Sequence, residues 1–301
     1  MNHASVIRVS ALLFSALGLA MTPSAAFSVA EGDYMLAATF VSTAVFSILL
    51  ALIVVILTPK SRNAARPRDG LAVVVLFWVI APLIAAPPFI VAASRPDVLA
   101  GVHEAVACLT TTGHSVVRLG TDEWPASLVI WRGVLHLMGA LVTLTTVATV
   151  FAALNLGGPG IHRTVLFTLS DTSFFRSIFR VFRTAALVLM TIVLFAFLTL
   201  AASGAGYAAS MTNAVSIATT GLVDPAGADA RAPSALQGAI IMIGLAASTL
   251  GLFNLIEGAA GRLGNAVKDP ETIVWMGLMG FLIVAAIIAG AGPIGATGFM
   301  I

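Results

Sequence analysis

The chain has 301 residues, of which 59% are hydrophobic and 9% charged, and its mean hydropathy is +1.05. A soluble domain carries roughly 25% charged residues, so the composition excludes an ordinary soluble fold, and a net charge of +2 is too small to indicate a nucleic-acid partner. The apolar runs are long and unbroken, which favours spanning helices over the alternating strands of a barrel. We therefore expect an all-α polytopic membrane protein.

Seven segments are long enough to cross a bilayer, which takes about 20 apolar residues. They lie near residues 5–28, 35–58, 71–93, 127–155, 184–204, 236–258 and 272–292. Two shorter segments, about 98–112 and 206–220, are rich in Ala, Ser and Thr and too short to cross. We predict that these two are re-entrant, returning to the side they entered from. Residues 1–26 also fit a cleaved signal peptide, and that alternative stays open.

The distribution of charge supports this topology, because Lys and Arg concentrate in cytoplasmic loops. With a cytoplasmic N-terminus and two re-entrant segments, the inner loops hold 11 of the 15 basic residues: Arg8, Lys60, Arg62, Arg66, Arg68, Arg163, Arg176, Arg180, Arg183, Arg262 and Lys268. The outer side then carries most of the acidic residues: Glu31, Asp33, Asp97, Asp122, Glu123, Asp224 and Asp229. If either short segment crossed fully, the basic loops would fall on alternating sides.

An internal repeat accompanies the two short segments. LTTTGHSVV at 109–117 and IATTGLVDP at 217–225 share Thr-Thr-Gly at an offset of 108 residues, from Gly113 to Gly221. Each copy follows a long span and precedes another. The predicted organisation is two leading helices, a first helix–pore loop–helix repeat, a second such repeat, and an extra helix, at residues 1–60, 69–158, 181–262 and 269–301 respectively.

The Thr-Thr-Gly segments carry the candidate chemistry. Non-helical backbone at membrane depth is tolerated where it lines a watery cavity, and backbone carbonyls with threonine hydroxyls replace the water shell of a dehydrated monovalent cation. The candidate ion-filter residues are Thr110, Thr111, Thr112 and Gly113 in the first copy and Ala218, Thr219, Thr220 and Gly221 in the second. The alternative is that Thr-Thr-Gly ends a buried half-helix, with its hydroxyls bonded back to helix carbonyls and its glycine as a cap.

One long stretch, HEAVACLTTTGHSVVRLGTDEWPASLVIWRGVLHLMGAL at 103–141, resembles the first pore loop and following helix of the TrkH family, the membrane subunits of bacterial Trk potassium uptake systems. MTNAVSIATTGLVD at 211–224 is similar to a second pore segment of that family. The resemblance implies potassium uptake across a bacterial cytoplasmic membrane, with no enzymatic step and no cofactor bound by this chain. It also implies a cytoplasmic nucleotide-binding ring protein as a regulatory partner.

The sequence departs from the TrkH pattern in ways that limit this function. The family has four helix–pore–helix repeats around one pore, whereas this chain holds two. We therefore expect a second copy or a separate partner chain to complete the filter, and the alternative is a non-conducting TrkH-like protein, either truncated or an assembly subunit. His114 replaces a small residue after the filter glycine, and GALV at 139–142 stands where the family has Gly-Gly-Met-Gly.

Three further residues have more than one possible role, and a fourth has one. Glu104 matches a family glutamate and supports the filter through backbone contacts, or is a charge favoured near a helix N-terminus. His114 adds pH-sensitive charge at the pore mouth, or faces outward beside the loop. Arg132 is expected to pair with Asp122 or Glu123, or to extend outward, while Cys108 is expected to be a small buried side chain.

Overall fold

A computed structural model of the chain describes residues 2–59, 67–119, 124–153, 174–225, 233–249, 273–278 and 280–281. Ten helices in these ranges are numbered in chain order: α1 His3–Leu19, α2 Thr22–Ala30, α3 Tyr34–Leu57, α4 Pro67–Ala85, α5 Pro87–Ala92, α6 Val98–Leu109, α7 Ala126–Ala153, α8 Phe174–Ala202, α9 Tyr207–Thr219 and α10 Ala235–Thr249. Residues 273–278 and 280–281 are also helical. The all-α polytopic prediction is confirmed.

Five helical segments of the described chain are long and apolar enough to cross a membrane: His3–Ala30, Tyr34–Leu57, Arg68–Ala92, Ala126–Val147 and Val181–Ala202. They match the first five predicted spans. The sixth predicted span, 236–258, is described only as far as Thr249, and most of the seventh lies outside the described residues. The chain divides into two compact units, residues 1–185 and 186–301.

Prolines explain why two of these spans are each built from two helices. Pro23 has no N–H to offer the carbonyl of Leu19, and the hydroxyl of Thr22 donates to that carbonyl at 2.6 Å instead. The carbonyl oxygen of Leu19 therefore keeps a hydrogen-bond donor at the α1–α2 break. Pro87 starts α5 after a one-residue break at Ala86.

Hydrogen bonds between residues far apart in the chain show which helix ends lie on the same side of the first unit. On one side, the Arg8 guanidinium donates to the carbonyls of Val55 and Thr58 at 2.6 and 2.5 Å, so the start of α1 lies beside the end of α3. On the other side, the Glu31 carboxylate after α2 accepts from the N–H groups of Ala126 and Ser127 at the start of α7. The start of α7 therefore lies on the same side of the first unit as the end of α2.

The core of the first unit forms around Trp131 of α7, which is fully buried. Its ring packs edge-on against Phe40 of α3, with centroids 6.0 Å apart. Its indole N–H donates to the carbonyl of Ala85 at 3.1 Å. That carbonyl stands at the α4–α5 break, where the N–H of Phe89 bonds to Ala86 instead of continuing the α4 ladder. Trp131 thus joins α3, α4 and α7 and satisfies a carbonyl that the break exposes.

In the second unit, α9 packs against α10 at a small residue. A methyl group added to Gly244 of α10 would lie 2.8 Å from the side chain of Ile217. The Gln237 amide in the first turn of α10 donates to the carbonyl of Ser203, just after α8, at 3.4 Å. The end of α8 and the start of α10 therefore lie on one side, as a re-entrant segment between them requires.

We expect Trp131→Phe to lower the free energy of unfolding by about 1–3 kcal/mol more than Trp78→Phe, as measured by equilibrium unfolding in detergent. The first change leaves the Ala85 carbonyl without its donor. Trp78 is the matched control because it makes an edge-on aromatic contact with Phe77 of the same helix but lies only half-buried. Equal losses for the two variants would contradict the role of this hydrogen bond.

Candidate functional site

The first candidate filter segment begins where α6 ends in a Schellman-type turn. Thr111 adopts a left-handed conformation with φ of 58°. Its N–H donates to Cys108, and the N–H of Thr112 reaches back to the carbonyl of Ala107 at 2.9 Å. This bonding pattern closes the last turn of a helix. Gly113 follows with φ of 72°, which glycine adopts at no steric cost.

Beyond Gly113 the chain runs back along α6 to the side it came from. The N–H and hydroxyl of Ser94, between α5 and α6, donate to the carbonyl of Arg118 at 2.9 and 3.1 Å. Ala93 and Leu119 form an isolated antiparallel bridge. Helix α6 has 12 residues and is about 18 Å long, too short for a hydrocarbon core of about 30 Å. The segment is re-entrant in geometry, as predicted.

A buried ion pair fixes this returning loop against α6 and α7. The guanidinium of Arg132 pairs with the Glu104 carboxylate, and both side chains are fully buried. Arg132 also donates to the carbonyl of Gly113 at 2.5 Å. The other Glu104 oxygen accepts from the hydroxyl of Ser115 at 2.8 Å. We call Arg132, Glu104, Gly113 and Ser115 the Arg132 clamp.

The clamp gives Arg132 a partner that was not predicted. The guanidinium is turned inward to Glu104, while the predicted partners Asp122 and Glu123 lie outside the described residues, so that pairing stays a prediction. A charge in an apolar helix is stabilised by an opposite charge at its own depth, so the lone carboxylate of α6 was the signal that the sequence offered. Arg132 also lies over the ring of Trp124, with Cζ 5.2 Å from the ring centroid. Its planar fork of donors allows it to bind a carboxylate and a carbonyl together.

Other predicted residues of the first segment lie on its two faces. Thr110 and Thr112 are exposed, Thr111 is half-buried, and Gly113 and Cys108 are buried. The Thr110 hydroxyl donates back to Val106 at 2.8 Å and lies 3.2 Å from the Thr112 hydroxyl. The back-bonding that the helix-end alternative predicted is therefore present, but the residue in the cap position is Thr111 and not glycine.

Gly139 of α7 is a site residue that the sequence analysis missed. A Cβ added there would lie 1.8 Å from the carbonyl oxygen of Leu109, the last residue of α6. Because glycine has a hydrogen in place of a side chain, α7 can approach the backbone of α6 this closely. The signal was a glycine in mid-helix, at the start of the GALV stretch noted above.

The second candidate segment repeats the helix end but shifts its register. Thr220 is left-handed with φ of 54°, and the N–H of Gly221 reaches back to Ser216 at 3.2 Å. Thr220 thus takes the place of Thr111, and Gly221 that of Thr112. The hydroxyl of Thr219 donates to Val215, as Thr110 does to Val106. The structural offset is therefore 109 and not the 108 predicted from the shared triplet, because the first copy has one more threonine before its glycine.

The second segment also differs in exposure and in its anchoring. Ala218, Thr219 and Gly221 are buried, while Thr220 is exposed. One anchor of its loop is a neutral hydrogen bond, from the N–H of Val223 to the hydroxyl of Ser216 at 3.2 Å.

Comparison with known proteins places this fold. The chain superposes on the crystal structure of the potassium transporter TrkH from Vibrio parahaemolyticus with a TM-score of 0.79 over 98% of its length, at 19% identity. The chain has a TrkH-like fold. In sequence it is 28% identical over 167 residues to the Trk system potassium uptake protein TrkH of Vibrio parahaemolyticus, and 28% identical over 107 residues to TrkG of Escherichia coli.

These matches cover only part of each TrkH-like relative. The chain spans 33% of the Vibrio TrkH sequence and 22% of TrkG, and 62% of the solved TrkH chain. The two sequence matches take in 54% and 35% of this chain. No protein-family model matches the sequence.

We expect Glu104→Gln to lower the free energy of unfolding by about 3–5 kcal/mol, because it leaves the buried Arg132 charge without its partner. Adding Arg132→Gln should recover part of that loss, giving a positive coupling energy in a double-mutant cycle. Glu31→Gln is the control, since that carboxylate is exposed at a helix N-terminus and should contribute at most about 1 kcal/mol. Additive losses at Glu104 and Arg132 would contradict the clamp.

Gly139→Ala should destabilise the chain by about 1–3 kcal/mol, because its methyl group overlaps a backbone oxygen that cannot rotate away. The matched control is Gly238→Ala in α10, where an added Cβ meets no described atom within 4 Å. That variant should be neutral or gain up to about 1 kcal/mol in helix propensity. The thermal unfolding midpoints of both variants in detergent test this prediction. Equal midpoints would contradict the close approach of α7 to Leu109.

Proposed function

We propose that this chain is a pore-forming part of a TrkH-like potassium uptake system in a bacterial cytoplasmic membrane, with its N-terminus in the cytoplasm. The observation that carries the proposal is the first re-entrant segment. Thr110 and Thr112 are exposed on a short helix–loop hairpin whose other face is fixed by a buried ion pair. The TrkH-like fold supports it.

The chemistry of this segment suits a dehydrated monovalent cation. The C-terminal end of α6 carries partial negative charge, and the oxygens of Thr110, Thr111 and Thr112 follow it. Backbone carbonyls in such an arrangement replace water around potassium. The carbonyl of Gly113 already accepts from Arg132, so the glycine contributes its backbone conformation and not a cation ligand. Potassium is the substrate, and no cofactor of this chain is needed.

The second segment supplies a further quarter of the filter in this proposal, through Ala218, Thr219, Thr220 and Gly221. Two segments cannot close a ring of four. A second copy of the chain or a separate partner with two further repeats completes the ring, and a cytoplasmic nucleotide-binding Trk subunit regulates it. In this proposal residues 269–301, of which the structure describes 273–278 and 280–281, correspond to the start of a third repeat.

A non-conducting TrkH-like subunit is the second candidate, favoured by the buried position of Thr219 and Gly221 in the second segment. Potassium-limited growth of an uptake-deficient bacterial host separates the two. We expect growth when the chain is expressed with a partner carrying the remaining repeats, or alone if two copies assemble. Absence of growth in both cases, with the protein present in the membrane, would contradict the pore.

Gly113→Ala should abolish this growth, because an alanine at φ of 72° strains the turn that directs the threonine oxygens. Gly32→Ala is the matched control. Gly32 has a similar φ of 78° and open space around its Cα, but it lies in the α2–α3 connection. Potassium uptake should persist in the Gly32 variant. Equal uptake by the two variants would remove the first segment from the cation pathway.

A further inference from the structure

Two exposed histidines lie side by side on the re-entrant hairpin. His103 is on α6 and His114 on the returning chain, with ring centroids 6.1 Å apart and ring planes at 83°. The pairing follows from the antiparallel course of the loop, since the next residue on each side, Glu104 and Ser115, forms a hydrogen bond. The Arg132 clamp thus holds the backbone of both histidines in place.

The chemistry of this pair points to a metal ion. Neutral imidazole is the commonest metal ligand in proteins and suits zinc, copper and nickel. Glu104 adjoins His103 but is committed to Arg132 and Ser115, so it is not a ligand here. Two ligands on elements fixed by the clamp need little ordering on binding, which favours affinity.

We propose that His103 and His114 bind a divalent transition-metal ion of the zinc class, with water in the remaining coordination positions. Zinc takes imidazole nitrogens at about 2.0–2.1 Å in tetrahedral geometry, which small rotations of two exposed rings can meet.

The consequence for transport rests on the proposed function. His114 directly follows Gly113 and is two residues from Thr112, so a bound divalent ion places positive charge beside the entrance to the first filter segment. Positive charge there lowers the local concentration of a cationic substrate. Zinc is therefore expected to reduce potassium uptake.

The test is zinc binding to the purified full chain, prepared without a polyhistidine tag, by isothermal titration calorimetry. We expect one site in the wild type and a loss of affinity of at least about tenfold in both His103→Gln and His114→Gln, since even losing an outer partner of a ligand costs 10–100-fold. The control is His3→Gln, an exposed histidine at the start of α1, which should bind zinc as the wild type does. Thermal unfolding checks that the variants remain folded.

Unchanged affinity in both glutamine variants would overturn the site, as would absence of wild-type binding up to about 1 mM zinc. Potassium uptake with and without zinc forms a separate arm. Inhibition in the wild type and not in His114→Gln supports both proposals. Zinc binding that leaves uptake unchanged supports the metal site and contradicts its position at the cation entrance.

Discussion

The ion pair between Arg132 and Glu104 is fully buried, so neither charge has water to stabilise it and each depends on the other. Such a pair contributes little net stability compared with apolar side chains, but breaking it is costly, and it therefore specifies one arrangement. Here it specifies the path of the first re-entrant loop. Arg132 holds the carbonyl of Gly113, and Glu104 holds Ser115. The clamp lies on the inner face of the hairpin, and the threonine oxygens at its tip lie on the opposite face.

Close packing makes that clamp possible. Gly139 lets α7 approach the last carbonyl of α6, and Trp131, the neighbour of Arg132, joins α7 to α3 and α4. The second unit has the same helix end and a small-residue contact at Gly244, and one anchor of its loop is a neutral hydrogen bond from Val223 to Ser216. The two segments share the sequence Thr-Thr-Gly and one turn geometry, but these three residues occupy different positions in the turn. The two turns therefore present different residues at equivalent positions, Thr112 in the first and Gly221 in the second.

Much of this fold follows from the sequence, because hydrophobic length sets the spanning helices and short Thr-rich segments cannot cross. The register of the repeat could not be predicted from the shared Thr-Thr-Gly triplet. The end of each helix depends on which residue adopts the left-handed conformation, and the triplet does not show this. The pairing of Arg132 with Glu104 was missed for a related reason. Nearby acidic residues in sequence are natural candidates for an ion pair, whereas Glu104 is 28 positions away and meets Arg132 because the chain folds back. The predicted domain boundaries and filter roles stay predictions.

The central claim is that Thr110, Thr111 and Thr112 line a cation pathway, and one measurement addresses it directly. The chain has a single cysteine, Cys108, and it is buried, so Thr112→Cys introduces the only exposed thiol. The measurement is the rate at which a membrane-impermeant cationic thiol reagent modifies this variant in membranes, with potassium and with choline as the main cation. The account predicts modification that potassium slows and choline does not. Modification at the same rate in both solutions, or none at all, would contradict it.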